Sequence, residues 1–326
     1  MYSRGEKVVV QSGADYGITR RRLTGLLAAR AAALGVHIEY GKEIVRLSQL
    51  PEADLIIAAD GVNSRVREEA GAFRTTDRSG TNKYIWLGTD KAFDSFNSIF
   101  VPANTDWIWA HTLGVGSESG VVVVECTAEA WTGLGFDSIS VDDALPIVEG
   151  FFEDWLDGHQ LTSDLGDGNK ARWVSFRTIS NEHWHADKIV LIGDSAHTSH
   201  FSIGMGTTLA IEDAIALADN LHRHDDLELA LQSYERQRIA ESLPILIAAR
   251  YSEQWFESIS RYMELDPQQL GVLFGARRSP ITLLLPPRVS YALVLAAKRL
   301  AILDAVRDWV ASIAVATRSR RKPARR

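Results

Sequence analysis

Between residues 187 and 221 the polarity pattern changes three times. "DKIVLIGD" is a continuous apolar run of strand length that closes on Gly193 and Asp194. "SAHTSHFSIGMG" is polar and carries two glycines, and "TTLAIEDAIALADNL" repeats Ile211, Ala214, Ile215, Ala218 and Leu221 on one helical face. The pattern predicts a buried strand, a turn, and an amphipathic helix that begins near Thr207. Upstream, Leu23, Leu26, Leu27 and Leu34 recur at helical spacing, and Gly35 is placed to end that helix with a left-handed cap. "VHIEY" alternates at Val36, Ile38 and Tyr40 and predicts a strand, and "DLIIAAD" predicts a short buried one.

From about residue 80 to 180 the period shortens. "KYIWLGT", "SIFVPA", "DWIWAHTLG" and "GVVVVEC" predict antiparallel strands with one face covered, and "GVGSESG" at 114–120 a hairpin turn. "DDALPIVEGFFEDWLDG" predicts a helix. Past residue 221 the chain is predicted mostly helical, with boundaries at Pro244, Pro267, Pro280, Pro286 and Pro287. The fold class is therefore α/β, α+β overall. An α/β layer over 1–78 is interrupted by a β-rich unit over 79–185 and resumed over 186–222, and a helical region with a basic tail follows over 223–326.

Composition bounds the function. The 326 residues are 46% hydrophobic and 24% charged, as in a globular protein with a large core. The single cysteine, Cys126, cannot form an internal disulfide, and the opening "MYSRGEKVVVQSG" lacks the order of a secretory signal, so a cytoplasmic location is expected. A net charge of −7 argues against nucleic-acid binding. The tail "RSRRKPARR" is expected to be a solvated terminus rather than a membrane contact.

The predicted turn offers specific chemistry. A helix start presents free N–H groups and positive dipole, Gly204 and Gly206 let a ligand approach the backbone, and Asp194 at a strand end can hold a hydroxyl. That set suits a polyol joined to an electron-rich carbonyl, as in a flavin.

Three stretches carry a resemblance to the class A FAD-dependent aromatic hydroxylases of the para-hydroxybenzoate hydroxylase fold. "LIGDSAH" with "GMGTTLAIEDAIALADNL" resembles the family's Gly-Asp motif, "AADGVNSRVR" its Asp-Gly motif, and "GITRRRLTGLL" the segment whose arginine lies against the cofactor. "YERQR" at 234–238 extends the likeness. Within the family the 200–214 segment is similar to hydroxylases of aromatic acyl-CoA thioesters, such as the salicylyl-CoA and 2-aminobenzoyl-CoA monooxygenases.

The resemblance implies a Rossmann-like FAD domain with an inserted antiparallel substrate domain. It implies FAD held by Arg20, Asp60, Gly61, Gly193, Asp194, Gly204, Gly206 and Thr207, NAD(P)H as reductant, and O2 and an aromatic small molecule as substrates. Oxygen would be delivered through a flavin C4a-hydroperoxide. Amides near Gly206 and Thr207 would stabilise negative charge on the reduced flavin. The family's first βαβ unit, with its G-x-G-x-x-G turn, has no counterpart here, so the Rossmann-like domain is expected to be incomplete. Three origins are open: a mis-set start, a truncated gene, or a partner chain that supplies the unit. A homo-oligomer is a further possibility.

Trp107, Trp109 and His111 share one strand face and, with Phe201, are candidates to line the substrate cavity or to pack a core. His197 and His200 are the candidate catalytic side chains, Glu212 and Asp213 are expected as helix N-terminal charges, and no metal set emerges. Two alternatives stand beside hydroxylation: a flavin-free remnant or scaffold subunit, and another flavin oxidoreductase or halogenase.

Overall fold

The structure, a computed structural model, describes residues 1–9, 17–104, 106–116, 119–165 and 169–300. The strands are β1 (Tyr2–Ser3), β2 (Glu6–Lys7), β3 (Ile56–Ala58), β4 (Thr75–Ser79), β5 (Lys83–Thr89), β6 (Asn97–Ala103), β7 (Asp106–Gly114), β8 (Gly120–Cys126), β9 (Leu161–Thr162), β10 (Arg177–Asn181), β11 (His185–Ala186) and β12 (Ile189–Leu191). The helices are α1 (Arg20–Ala33), α2 (Arg65–Ala70), α3 (Ala128–Gly133), α4 (Val141–Leu156), α5 (Gly206–Arg223), α6 (Leu227–Glu257), α7 (Pro267–Gly275) and α8 (Ile281–Leu284). Residues 287–300 continue as helix, and the basic tail lies outside the described residues.

Alternation in the middle segment builds a sheet of seven strands ordered β2-β1-β6-β7-β8-β5-β9. Residue parity decides which core each side chain joins. In β7, Ile108 and Ala110 enter a core with Ile99, Val122 and Val124, closed by Val148 and Phe152 of α4. Trp109 enters a second core with Phe100 and with Trp255, Phe256 and Leu270 from α6 and α7. Both faces of the sheet are thus covered by helices.

The α/β layer is smaller. β12 lies parallel to β3 and antiparallel to β11, and this three-stranded sheet packs through Ala58, Val190 and Leu191 against Leu217 of α5 and Leu231 and Tyr234 of α6. The Tyr234 hydroxyl donates to the Leu191 carbonyl at 2.9 Å. One helix, α6, therefore reaches both the α/β layer and the second core of the large sheet, which fixes the turn between β12 and α5 against that sheet.

Four features differ from the expected division. Residues 1–7 belong to the large sheet, not the α/β layer, because β1 pairs with β6 in parallel register. Residues 36–40 form no strand and Val36 and Tyr40 are exposed, because β3 is an edge strand and offers them no neighbour among the described residues. Helix α1 forms, is capped by Thr19 and is followed by Gly35 at φ +85°, yet buries no residue; Leu26, Leu27 and Leu34 face solvent. Finally, Pro244 lies inside α6 and ends nothing. Buried Tyr234, Arg238 and Ser242 before it and Ala249, Ser252 and Trp255 after it anchor both halves, which offsets the roughly 3 kcal/mol cost of an interior proline.

Candidate active site

The turn after β12 is built from the inside out. Gly193 has φ +60°, and a Cβ there would meet the Ala210 Cβ at 3.1 Å, so only glycine lets α5 pack this close to the strand end. Its amide donates to Asp213 Oδ2 at 2.8 Å. That carboxylate also accepts from His197 Nε2 at 2.9 Å and, through Oδ1, from Arg238 Nε at 2.8 Å. Burial works to raise the Asp213 carboxyl, but the His197, Arg238 and Gly193 hydrogen bonds outweigh it and hold the carboxyl below its ordinary range. Asp213 therefore sits a full two turns into α5 as a buried hub. It is not the helix N-terminal charge expected from the sequence, and the first turn of α5 holds no acid at all.

A second arginine joins the two motifs. Buried Arg67 donates through Nη1 to the Ser195 carbonyl at 2.9 Å and through Nη2 to the Val62 carbonyl at 2.7 Å. The 60–64 turn is thus bolted to the 193–195 turn. Gly61 turns the chain at φ +81°, and Asp60 Oδ2 accepts from the Val66 amide at 3.2 Å.

The outer surface of this turn carries the exposed polar groups. Asp194 is exposed, and desolvation by the surrounding protein raises its carboxyl against the pull of His197 and Arg20, so the charge of Arg20 is felt at Asp194. Gly204 turns at φ +68°, and α5 starts at Gly206 with no side-chain cap. Thr207 and Thr208 are exposed, so the helix start faces outward. Ser199 Oγ is buried without a partner and lies 3.7 Å from where a Gly206 Cβ would stand. A carboxylate, an open helix start, a glycine cradle and an orphaned hydroxyl suit the hydroxyl-rich chain and electron-rich edge of a flavin. The residues present fit that group.

Beyond Gly204 the wall turns aromatic. His200 is buried against Phe176, with ring centroids 4.8 Å apart, and against Phe201 at 4.3 Å. Phe201 in turn meets Tyr84 of β5 at 4.6 Å. A directed hydrogen-bond chain fixes the His200 ring. The Arg277 guanidinium donates to Ser252 Oγ at 3.1 Å, the Ser252 and Ser202 hydroxyls lie 2.7 Å apart, and Ser202 Oγ reaches His200 Nδ1 at 2.8 Å. The Ser202 backbone N–H also points at Nδ1, at 3.4 Å, so Nδ1 is the accepting nitrogen. Burial pushes the imidazole down to about 3, and the ring stays neutral with its proton on Nε2.

His111 hydrogen-bonds Ser98 through Nδ1 at 2.9 Å, is likewise pushed down to about 3 by burial, and leaves Nε2 unpartnered. Trp109 is fully buried and stacks on Phe256 at 5.6 Å, while Trp107 packs at the edge of the same core. The turn residues and the His200–Phe201 wall are brought together, with Arg20 near enough for its charge to reach Asp194, whereas Trp107 and Trp109 sit in the packed core behind the wall. Sequence reading missed Asp213, Arg238 and Arg277 as site-building groups, and it missed Glu125, which receives the Trp109 Nε1–H at 3.1 Å.

Residues 6–242 match the FAD binding domain family. The chain is 33% identical over 290 residues to salicyloyl-CoA 5-hydroxylase from Streptomyces sp, covering 85% of this chain and 55% of that protein. It is 32% identical to protodeoxyviolaceinate monooxygenase from Chromobacterium violaceum, covering 85% and 74%. The chain thus spans about half the length of the first of these relatives. A 2-methyl-3-hydroxypyridine-5-carboxylic acid oxygenase has the same fold, with a TM-score of 0.56 at 21% identity over 80% of this chain and 73% of that one. So does the flavin-dependent halogenase CmlS, at 0.57 and 17% over 88% and 59%. The chain belongs to the FAD binding domain family, among the FAD-dependent aromatic monooxygenases.

Proposed function

We propose that the protein hydroxylates an activated aromatic ring, with FAD as cofactor, NAD(P)H as reductant and O2 as the oxygen source, and that its substrate is an aromatic acid carried as an acyl-CoA thioester. The observation that carries this reading is the contact of two surfaces: the open start of α5 with Asp194, and the neutral His200–Phe201–Tyr84 wall beside it. FAD, when bound, supplies the redox and oxygen-transfer chemistry. The protein's part is placement and exclusion of water. Asp194 and Arg20 hold the cofactor's hydroxyl-rich chain, Gly193 and Gly61 shape the backbone against it, and the amides of Gly206 and Thr207 receive negative charge at its electron-rich edge. His200, held neutral with its hydrogen on Nε2, acts as a fixed donor on the wall facing the ring, and Phe201 and Tyr84 flank it. The thioester form is supported by the likeness to salicyloyl-CoA 5-hydroxylase.

The bare surface of α1 supports a second reading of how the cofactor is retained. Leu26, Leu27 and Leu34, together with Ile57 on the edge strand β3, are exposed apolar residues. A further βαβ unit laid on that edge by another chain would cover them and close over the cofactor. The visible spectrum of the purified chain, alone and after addition of FAD and desalting, tests both. Retained flavin bands and hydroxylated product with NADPH and an aromatic acyl-CoA are expected from the first reading. A colourless protein that becomes yellow only with a complementing chain favours the second, and a flavin protein that yields halogenated or merely reduced product overturns hydroxylation.

A further inference from the structure

Behind the His200 wall lies a cavity of about 10 Å³, room for about one water molecule. Glu125 of β8, Glu253 and Glu257 of α6, Tyr84 of β5, Asn82 and His200 line it. None of the functions above uses its carboxyl groups. Two hydrogen-bonding positions there are unmatched, and they are complementary.

Glu125 is buried, and each of its oxygens already accepts from a neutral donor: Oε1 from Asn82 Nδ2 at 2.8 Å and Oε2 from Trp109 Nε1 at 3.1 Å. Among the described residues no cation pairs with it. Burial pushes its carboxyl up to about 8, and the carboxyls of Glu257 and Glu253 push the same way against those two hydrogen bonds. At neutral pH Glu125 therefore carries a hydrogen; the Trp109 N–H cannot accept it, and Asn82 faces it with its donor Nδ2. Glu253 is equally buried. Its Oε2 accepts from Arg78 Nη2 at 2.7 Å, and its Oε1 has no partner. That oxygen lies on the cavity wall, 2.9 Å from where a Cβ on Gly80 would stand. A donor without an acceptor and an acceptor without a donor thus share one water-sized space.

We propose that this cavity is a one-proton store, in which a single water bridges the Glu125 carboxyl and Glu253 Oε1 and exchanges a proton between them and solvent. In the transfer the Glu125 O–H bond breaks, its proton joins the water, and a water proton bonds to Glu253 Oε1. Glu125 is left as carboxylate and Glu253 neutral, and the reverse steps refill Glu125. The solvent end is formed by Glu257, which lines the cavity and accepts from the exposed Thr81 amide at 2.7 Å: its carboxylate takes a proton from the bridging water and releases it to solvent, while the partly exposed Arg78 stays cationic beside Glu253. His200 occupies the wall that the store shares with the candidate active site. Hydroxylation takes up one proton for each ring–H, O2 and NAD(P)H converted to ring–OH, NAD(P)+ and water. The store's link to turnover rests on the hydroxylase reading; its existence does not.

The test is a pH titration of the full chain followed by infrared difference spectroscopy in H2O and D2O. A protonated-carboxyl band is expected at neutral pH, titrating away near pH 8 and absent in Glu125→Gln. Glu253→Gln removes a like charge and should lower the midpoint by about one unit. Gly80→Ala keeps every titrating group in the chain but puts a Cβ 2.9 Å from Glu253 Oε1, so that oxygen must shift and the space beside it fills; the band should shift as the bridging water is lost. Absence of the band overturns the proposal, as does a band unchanged in both Glu253→Gln and Gly80→Ala, which would make Glu125 an isolated buried acid. A normal band response in a protein that never hydroxylates an aromatic acyl-CoA would leave the store standing and sink the hydroxylase reading.

Discussion

Asp213 of α5 and Glu125 of β8 are both buried carboxyl groups, in opposite charge states. Asp213 is met by an arginine, an imidazole and a backbone amide, and is held below its ordinary range. Glu125 is met only by an amide and an indole, has two acids across a cavity, and is pushed up to about 8. Burial is common to both, so the partners decide the charge. The ionised acid organises backbone at the turn between β12 and α5, where a fixed negative charge gives rigidity. The neutral one faces a water-sized space, where a removable proton is available.

The largest expected effect comes from breaking the ionised side of this pair. Asp213→Ala frees the Gly193 amide and strips His197 and Arg238 of their shared acceptor. Removing one partner of a buried ion pair costs on the order of 3–5 kcal/mol. Arg238 keeps Glu241 at 2.7 Å and Glu212 at 3.2 Å, so the lower end is expected. Urea unfolding should show that loss, and flavin retention should fall with it. Stability within about 1 kcal/mol of the parent would mean that the hub does not hold the turn.

The two acids should also respond to pH with opposite sign. The Asp213 value is depressed on folding, so its contribution is present above the ordinary carboxylate range and is lost as pH falls through the folded value. The Glu125 value is raised, so stability is fully present below its unfolded value and drains away as pH rises toward about 8, where the folded carboxyl ionises. Gln at 125 cannot ionise. The difference in melting temperature between Glu125→Gln and the parent should therefore move in favour of Gln between about pH 6 and pH 9, by roughly 2–4 °C for each 1 kcal/mol. Parallel melting curves across that range would show that Glu125 is not neutral when folded.

A smaller effect is expected where the same turn depends on backbone shape. Gly193→Ala must adopt a positive φ and push its Cβ to 3.1 Å from Ala210, which costs of order 1–3 kcal/mol. The Asp213 hydrogen bonds remain available, so the loss should stay below that of Asp213→Ala. A larger loss would place the stability of the turn in its backbone rather than in the buried carboxylate.

Much of this site is legible in the chain because it is local. The apolar run into Gly193, the glycine pair and the helical period after Thr207 lie within 35 residues, and each forecasts its own element. The hydroxyl-binding role proposed for Asp194 needs only that geometry. Asp213 misleads because its partner Arg238 sits 25 residues away on another helix, and no local period reports a contact made across two helices. Glu125 left a trace: it is the one charged residue in "GVVVVEC", a strand buried on both faces. The same long-range logic explains α1, whose leucines predict a buried face although nothing among the described residues covers it. Pro244 is the converse, a local break signal overruled by packing on both sides.

The smallest expected effect uses an ion pair of the same chemistry on the surface. Arg74 Nη1 and Glu182 Oε2 are 3.1 Å apart, close to the 2.8 Å of Arg238 and Asp213, but their side chains are 72% and 62% exposed. Water solvates both charges whether or not they meet, and holding two long side chains together costs entropy, so Glu182→Gln should change stability by less than about 0.5 kcal/mol. Asp213 differs from Glu182 in burial and in its two further donors, the His197 imidazole and the Gly193 amide, so the ratio of the two losses measures what the interior and those donors together add to one ion pair. Comparable losses would mean that surrounding protein, not the buried charge pair, sets the cost at Asp213, and the contrast with Glu125 would then lose its physical basis.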